Sequence, residues 1–318
     1  MTETTKHTVI RVAVVGASGF LGGALVRGLV RAGVQVVAYC RRALPEAPGV
    51  RWHAWRQDGG EVDLDGLDGA DAVINLVGRR VDCIKTPAHC AQIMDSRVDS
   101  VRKLGGLLRQ CQRPPGVWLQ ASTAHIVGDP TPLDAVCDEA TPPGEGLAPR
   151  VATAWEAAAR EVALPGQRLV LLRTSFVLGH GGAALRRLGL VTRWGLGGTV
   201  GHGRQWVSWL HIDDFVTLAT AMLTDPAFEG VYMVTAPQPV TNREMMRAFR
   251  RAYRRPWAPP APAWAVRLVS HHVMRTDPEL ALLGRRVVPR RLLDEHGWTF
   301  RYPTIDAAVA DLAGRDLV

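Results

Sequence analysis

The feature that most constrains the fold is a glycine-rich turn between a β-branched run and an amphipathic segment. The run covers Val9 to Val15, and the turn reads Gly16-Ala-Ser-Gly-Phe-Leu-Gly22. The amphipathic segment extends from Leu21 to Ala32 and stops at Gly33, and a second β-branched run follows from Val34 to Cys40. A strand, a glycine turn, a helix and a second strand within about thirty residues indicate a βαβ unit.

The alternation of apolar runs and helical periodicity continues along the chain. Further strands are predicted at Ala72–Val77, Gly116–Ala121 and Arg168–Arg173, and further helices at Met94–Leu108 and Val151–Val162. Strands that alternate with helices predict an α/β fold, here a Rossmann doubly wound parallel sheet. Glycine-rich loops and short helices beyond residue 179 predict a smaller C-terminal domain that covers the substrate.

These patterns divide the chain into three parts. We expect residues 1–8 to be a disordered N-terminus. Residues 9–178 should form the Rossmann core, with residues 204–236 returning to it. Residues 179–203 and 237–318 should form the smaller substrate-covering region.

Composition and charge narrow the class of protein. Of the 318 residues, 47% are hydrophobic and 21% are charged, which is typical of a globular protein. No apolar run could span a bilayer and the first residues do not resemble a signal peptide, so we expect a cytoplasmic protein with no membrane partner. The net charge of +8 comes from scattered arginines without a nucleic-acid-binding motif, so no nucleic-acid partner is expected. Five cysteines without CxxC spacing predict reduced thiols and no metal site.

The glycine turn is typical of a dinucleotide-binding site. One glycine permits the tight turn, another lets the backbone approach a pyrophosphate, and the third allows close packing of the helix. The phosphates would lie at the helix N-terminus, where free N–H groups and the helix dipole favour an anion. The alternative is a glycine-rich turn without a ligand. The predicted cofactor contacts in this turn are Gly16, Ser18, Gly19, Phe20, Leu21 and Gly22.

The end of the second strand indicates which dinucleotide binds. NAD-binding proteins usually have an acidic residue there, which holds the ribose 2′-hydroxyl. Here Arg41 and Arg42 follow Cys40, and no acid is present. Two arginines favour the 2′-phosphate of NADP(H). The alternative is that both are solvated surface charges in an arginine-rich chain.

Motifs in the expected order resemble those of the extended short-chain dehydrogenases/reductases. They are the glycine turn, Asn75-Leu-Val-Gly78 and His211-Ile-Asp-Asp214. More narrowly, the chain resembles the bacterial epimerase family group, which is NAD-dependent epimerase/dehydratase-like and has a small C-terminal domain of unknown function. The stretches that carry this narrower resemblance are Asp95–Arg97, Trp155–Ala158, Leu196–Gly198, Gly203–Asp214, Ala236–Asn242, Val288-Pro289 and Gly297–Pro303.

The resemblance implies an NADP-binding Rossmann core, although the family name does not establish epimerase activity. It adds five residues to the predicted cofactor site. They are Asn75, Leu76, Val77, Gly78 and Arg97.

The chain departs from the superfamily in its catalytic residues. Classical members use a Tyr-x-x-x-Lys pair, in which the lysine lowers the tyrosine pKa so that the phenolate exchanges a proton during hydride transfer. None of the four tyrosines here is followed by a lysine at that spacing, and the corresponding helix reads Leu147-Ala-Pro-Arg-Val-Ala152. Tyrosine-based alcohol oxidation is therefore not expected.

The candidate catalytic residues follow a predicted strand, at the sheet edge where open α/β sheets place their ligands. Comparison with the superfamily assigns Thr123 to the catalytic Ser/Thr position, whereas Ser122 matches the serine usual in the narrower family. The sequence does not decide which of these two hydroxyls faces the site. His125 would supply the missing proton transfer, because the ordinary histidine pKa lies in the neutral range. The alternative is a loop histidine bonded to backbone.

Other conspicuous residues fit structural roles or leave alternatives. His211 with Asp213-Asp214 indicates a strand end followed by an aspartate-capped helix more than a catalytic pair. Val207 stands where nucleotide-sugar enzymes of the superfamily usually carry an arginine, which disfavours a nucleotide-sugar substrate. Either a substrate pocket or the core of the smaller region accounts for Trp194, Trp206 and Trp209.

Three functions agree with this sequence. The leading hypothesis is an NADP(H)-binding oxidoreductase or isomerase that acts on a small or medium organic molecule. The second is a redox-neutral cyclase, lyase or epimerase in which NADP is structural or recycled. The third is an NADP-sensing or scaffold protein without catalysis.

Overall fold

The computed structural model describes residues 11–41, 47–56, 60, 62–130 and 132–316. The predicted disordered segment 1–8 and the predicted cofactor residue Arg42 lie outside these residues. The strands in chain order are β1 (Arg11–Val15), β2 (Gln35–Cys40), β3 (Val50–Ala54), β4 (Ala72–Asn75), β5 (Val117–Thr123), β6 (Val136–Cys137), β7 (Arg168–Thr174), β8 (Phe176–Leu178), β9 (Trp206–Val207), β10 (Trp209–His211), β11 (Gly230–Val234), β12 (Val240–Thr241) and β13 (Arg286–Val287).

Helices pack on both faces of the sheet, and they also make up about half of the C-terminal third of the chain. A 3-10 turn, Ala124–Val127, follows β5 directly. The α-helices are α1 (Phe20–Arg31), α2 (Pro87–Leu108), α3 (Leu147–Val162), α4 (Ala183–Arg193), α5 (Ile212–Thr224), α6 (Asn242–Ala252), α7 (Ala263–His272), α8 (Glu279–Leu282), α9 (Arg290–Asp294) and α10 (Ile305–Asp316).

Seven strands form one parallel sheet in the order β11-β7-β5-β4-β1-β2-β3. Its central strands are buried on both faces, as expected for β-branched runs in a parallel sheet. One face packs on α1 and α5 through residues such as Leu25 and Phe215, and the other packs on α2 and α3 through Leu104 and Trp155. The predicted doubly wound parallel sheet is confirmed.

Some element boundaries differ from the predictions. Helix α2 begins at Pro87 and not at Met94, because the Thr86 side chain accepts the His89 N–H at 3.2 Å and caps the helix there. Helix α3 begins at Leu147, four residues before the predicted start. Strand β3 was not predicted, because it is only partly buried at the sheet edge and has no apolar run.

The smaller C-terminal domain is joined to the sheet region at several points. Strand β13 pairs in parallel with β6, and the Val288 N–H donates to Cys137 O at 2.9 Å. The carboxylate of Asp214, in the first turn of α5, accepts the backbone N–H groups of Arg301 and Tyr302 at 2.7 and 3.0 Å. In the described part of the chain, every helix is too short or too polar to cross a bilayer.

Candidate cofactor and active site

The backbone of the glycine turn packs closely against the backbone that follows β4, at the carboxyl end of the sheet. Gly16 has φ +86°, and a Cβ there would lie 2.9 Å from the carbonyl carbon of Leu76. A Cβ on Gly22 would overlap Gly16 O and lie 2.8 Å from Ala17 Cα. The Gly16 N–H donates to Tyr39 O at 2.9 Å, which ties the turn to β2. The turn therefore has the close packing that side chains at these positions would prevent.

Helix α1 starts at this turn, and no side chain caps the backbone N–H groups of its first turn. Its N-cap residue, Gly19, provides no side-chain hydrogen bond, and the first turn contains no acidic residue. Open N–H groups and the positive end of the helix dipole favour a bound anion such as a pyrophosphate.

A cavity of about 1650 Å³ opens in front of the turn. One wall is formed by the turn and the segment after β4, and the other by Gly179–Gly182 and α4. The predicted cofactor residues that line it are Gly16, Ser18, Gly19, Phe20, Arg41, Leu76, Val77 and Gly78. The cavity exceeds the range of about 300–1000 Å³ common for ligand sites, so it has room for a dinucleotide and a second molecule.

The cavity lining is predominantly basic. Its acidic side chains are Asp82, Asp95 and Asp99. Its basic side chains other than histidine are Arg41, Arg79, Arg80, Lys103, Arg186 and Arg193. All of these except Arg41 were missed in the sequence, because they come from α2, α4 and the loop before α2, which only the fold brings together. This charge balance favours an anionic ligand.

An ion pair joins the two walls. Asp82, in the loop before α2, pairs with Arg187 of α4 at 3.0 Å and with Arg80 at 2.6 Å. Burial raises the pKa of the Asp82 carboxyl, but the hydrogen bond and charge of Arg80, together with Arg187, outweigh this and lower it overall.

Arg97 supports the cavity wall and does not line it. Its guanidinium donates to Ile93 O at 2.9 Å and to Arg79 O at 3.1 Å, and it lies 5.0 Å from the Trp155 ring centre. A Cβ on Gly78 would lie 3.2 Å from Arg97 Cζ, so Arg97 packs directly behind that glycine. Burial lowers the pKa of Arg97 to about 10.

Asn75, Leu21 and Gly22 also lie outside the lining. The amide of Asn75 is buried, donates to Gln120 Oε1 at 3.0 Å and accepts the Val77 N–H at 3.1 Å. Asn75 thus fixes the backbone of the segment that does face the cavity.

The two candidate hydroxyls at the end of β5 have different surroundings. Ser122 is buried and donates to Glu156 Oε1 at 2.7 Å, and Glu156 in turn pairs with Arg173 at 2.8 Å. Thr123 is partly exposed, and its Oγ1 accepts the His125 N–H at 3.2 Å. Of the two hydroxyls, that of Thr123 is therefore the one open to a ligand, although neither residue lines the cavity described above.

The surroundings of His125 favour its uncharged form. Its pKa is lowered to about 3, because surrounding atoms exclude water and because the nearby Arg285 disfavours a second positive charge. Arg285 belongs to the C-terminal domain, and it forms an ion pair with Asp129, which lies just after the 3-10 turn that follows β5. The neutral-range pKa expected for His125 was wrong, because the sequence shows neither how the fold excludes water from the imidazole nor that the charge of Arg285 comes near it.

The sequence and its fold match one family of proteins. The family model described as "NAD dependent epimerase/dehydratase family" matches residues 12–234. The chain belongs to this family. A second model, described as "Domain of unknown function (DUF1731)", matches residues 261–312. The resemblance predicted from the sequence motifs is confirmed.

Relatives in this family match over almost their whole length. The epimerase family protein Mb2239 of Mycobacterium bovis is 32% identical over 299 residues, which cover 94% of this chain and 96% of that protein. The epimerase family protein SDR39U1 of Bos taurus is 32% identical over 310 residues, which cover 95% and 99%. The crystal structure of human SDR39U1 (isoform 2) with NADPH has 30% identity and a TM-score of 0.83, and covers 96% of this chain and 99% of that one.

In this epimerase family member, His211 has a structural role. Its Nδ1 accepts the Asp213 N–H at 3.0 Å, so the histidine itself caps α5 and the predicted aspartate cap was wrong. Its Nε2 lies 3.3 Å from Asp311 Oδ2, and its ring centre lies 3.9 Å from that of Tyr302, with the two rings tilted by 31°. Arg315 pairs with both Asp213 and Asp311 at 2.9 Å, so the two carboxylates that with His211 could hold a metal ion share a guanidinium partner instead.

Proposed function

We propose that this chain binds NADP(H) in the cavity between the glycine turn and α4, and uses it to oxidise, reduce or isomerise a small or medium organic molecule. The observation that carries the proposal is a cavity of about 1650 Å³ with a predominantly basic lining, built around an uncapped helix N-terminus. The NADPH in the structure of the human relative supports the choice of cofactor.

Each part of the cofactor has a proposed partner. The N–H groups at the start of α1 would hold the pyrophosphate, and Arg41 the 2′-phosphate, with Arg42 assigned to the same group from the sequence. The segment Leu76–Gly78, supported from behind by Asn75 and Arg97, would follow the sugar and nicotinamide side of the cavity.

Bound NADP(H) supplies or accepts a hydride, so the protein must move the accompanying proton. Ser122, Thr123 and His125 are our catalytic candidates. The neutral His125 imidazole would accept the proton that a substrate hydroxyl releases as its C–H hydride leaves, and the Thr123 hydroxyl would orient that oxygen. The bond between Ser122 and Glu156 would keep the end of β5 in place for this step.

The second candidate function is redox-neutral, with the cofactor recycled in each turnover or purely structural. Two observations favour it. Helix α3, which begins Leu147-Ala-Pro-Arg-Val-Ala152, does not contain the Tyr-x-x-x-Lys pair of classical members. The pKa of His125 is also lowered to about 3, so at neutral pH the imidazole is a weak base and carries no acidic proton to donate, which weighs against the proton transfer of a redox step.

Calorimetric titration of cofactor-stripped protein with NADPH, NADP⁺, NADH and NAD⁺ tests the cofactor assignment. We expect selective binding of NADP(H). Arg41→Gln should weaken NADPH binding roughly 10- to 100-fold, since a charge-assisted hydrogen bond contributes about 1.5–3 kcal/mol, and should leave NADH binding unchanged.

The matched control is Arg150→Gln, an exposed arginine on α3 that is not part of the cavity lining. Equal losses for NADPH and NADH would contradict the 2′-phosphate assignment, and no binding of any dinucleotide would refute the proposed function. With the cofactor bound, a change in nicotinamide absorbance on adding a substrate supports net redox chemistry, whereas turnover without such a change supports the second candidate.

A further inference from the structure

Three of the ten tryptophans lie largely in solvent instead of in the core. Trp194, Trp257 and Trp264 are 76%, 72% and 69% exposed. Single exposed apolar residues are common, but large aromatic side chains exposed together mark an interaction site.

The fold brings the chain segments that carry these tryptophans side by side. Trp194 is the C-cap residue of α4, and residues 195–201 follow it. The segment Trp257–Trp264 lies beside residues 199–201. The Ala261 N–H donates to Thr199 O at 2.8 Å, and the Gly201 N–H donates to Ala261 O at 2.9 Å. Trp264 then lies in the first turn of α7. We call this surface the tryptophan face and define it by Trp194, Leu196, Trp257, Trp264, Leu268 and Val273, all exposed.

Helix α7 continues the face. Its less exposed residues are Ala263, Ala265, Val266 and Ser270, and the helical spacing of 263, 266 and 270 turns this side towards the protein. Trp264, Leu268 and His272 therefore point outwards from α7. An outward apolar stripe on a surface helix needs a partner.

The two parts of the chain that form the face are poor in acidic residues. Two stretches of sequence, residues 162–212 and 245–276, include no aspartate or glutamate. They contain α4, α7 and all six residues that define the face. Exposed arginines are present in the second of these stretches at positions 254, 255, 267 and 275. These arginines, beside the exposed apolar side chains, favour a partner that is both apolar and anionic.

We infer that the tryptophan face docks on an anionic lipid surface. Tryptophan is enriched at the level of lipid headgroups, where its apolar ring and its N–H group are both satisfied, and arginines above it attract anionic lipids. A second copy of this chain fits poorly, because a two-fold contact would place arginines against arginines. Nucleic acid fits the charge and could stack on the tryptophans, but it would leave the exposed aliphatic side chains of Leu196, Leu268 and Val273 without an apolar partner. This site is distinct from the proposed catalytic residues.

Sedimentation of the full-length protein with lipid vesicles tests the inference. We expect binding to phosphatidylcholine vesicles that contain phosphatidylglycerol, little binding to pure phosphatidylcholine, a blue shift of tryptophan emission, and weaker binding at high salt. Changing Trp194, Trp257 and Trp264 together to serine should reduce binding at least tenfold and leave NADPH affinity unchanged.

A charge variant and its matched control separate charge from apolar contact. Changing Arg254, Arg255 and Arg267 to glutamine should remove the preference for phosphatidylglycerol. The same change at the exposed residues Arg31, Arg51 and Arg150, which lie outside the two acid-free stretches, lowers the net charge equally and should leave binding intact.

Four results would overturn the inference. They are no binding to phosphatidylglycerol vesicles, equal binding to pure phosphatidylcholine, a dimer in light scattering that the tryptophan variant dissociates, and tight binding of a single-stranded oligonucleotide that the same variant loses. Because NADPH affinity is measured separately, failure here is distinguishable from failure of the proposed function.

Discussion

Adjacent glycines in α1 allow a matched test of the glycine turn. An added Cβ at Gly22 overlaps Gly16 O and lies 2.8 Å from Ala17 Cα, so it meets backbone that cannot rotate away. An added Cβ at Gly23 meets only the end of the Arg27 side chain, at 3.4 Å, and Ala17 O, at 3.7 Å. Gly22→Ala and Gly23→Ala therefore make the same chemical change in the same helix with different steric results.

The magnitudes follow from these contacts. Alanine stabilises a helix by roughly 0.5–1 kcal/mol relative to glycine, and Gly23→Ala should gain about this much. At Gly22 the same gain is opposed by overpacking, which costs about 1–3 kcal/mol in a tight site, so the net loss should be about 1–2 kcal/mol. Displacing Gly16 and Ala17 also moves the N–H groups assigned to the pyrophosphate. NADPH affinity should fall at least tenfold in Gly22→Ala and stay unchanged in Gly23→Ala.

Urea unfolding and calorimetric titration with NADPH measure both effects on the same preparations. The expected order of unfolding free energy is Gly23→Ala, then wild type, then Gly22→Ala. If Gly22→Ala binds NADPH like the wild type and unfolds at the same urea concentration as Gly23→Ala, the close packing of the turn does not control the site and the reasoning is refuted.

Other predictions concern two titratable groups near β5, Glu156 and His125. Glu156→Ala should destabilise the fold by about 3 kcal/mol at neutral pH, because it leaves Arg173 buried without its carboxylate. Burial raises the pKa of Glu156, but the bonds from Arg173 and Ser122 lower it overall, so this difference should be full above the ordinary glutamate pKa and shrink in acid; a constant difference in urea unfolding across pH would contradict it. For His125, NMR titration should show no protonation near neutral pH, and Arg285→Gln should raise its pKa from about 3 without restoring the ordinary value, since burial is the larger cause. His125→Asn should lower turnover at least tenfold in steady-state assays while calorimetry shows unchanged NADPH affinity.

The local parts of the fold were predictable from the sequence because their signals are local. The segment predicted as a helix from Leu21 to Ala32 is α1, Phe20–Arg31, and the run from Val34 to Cys40 contains β2, Gln35–Cys40. Strand β3 could not be predicted in this way, because an edge strand that is half exposed needs no apolar run.

The site was predictable only where one chain segment supplies it. The glycine turn and Arg41 were found because they are contiguous with the first βαβ unit. Lys103 and Arg186 were not found, because α2 and α4 reach the cavity only through tertiary packing. For the same reason the sequence left Ser122 and Thr123 undecided. The partner that distinguishes them, Glu156, lies 34 residues further along the chain.

The pairing of β13 with β6 has a consequence for how the molecule is made. A strand near residue 137 gains its partner only when residue 286 has been synthesised, and the buried carboxylate of Asp214 gains its two N–H donors only with residues 301 and 302. Until then, β6 in a nascent chain lacks its partner strand, and Asp214 stays hydrated instead of bonding these donors. We therefore expect stable folding to wait for the last part of translation, because the region matched by the DUF1731 model supplies contacts to the sheet region.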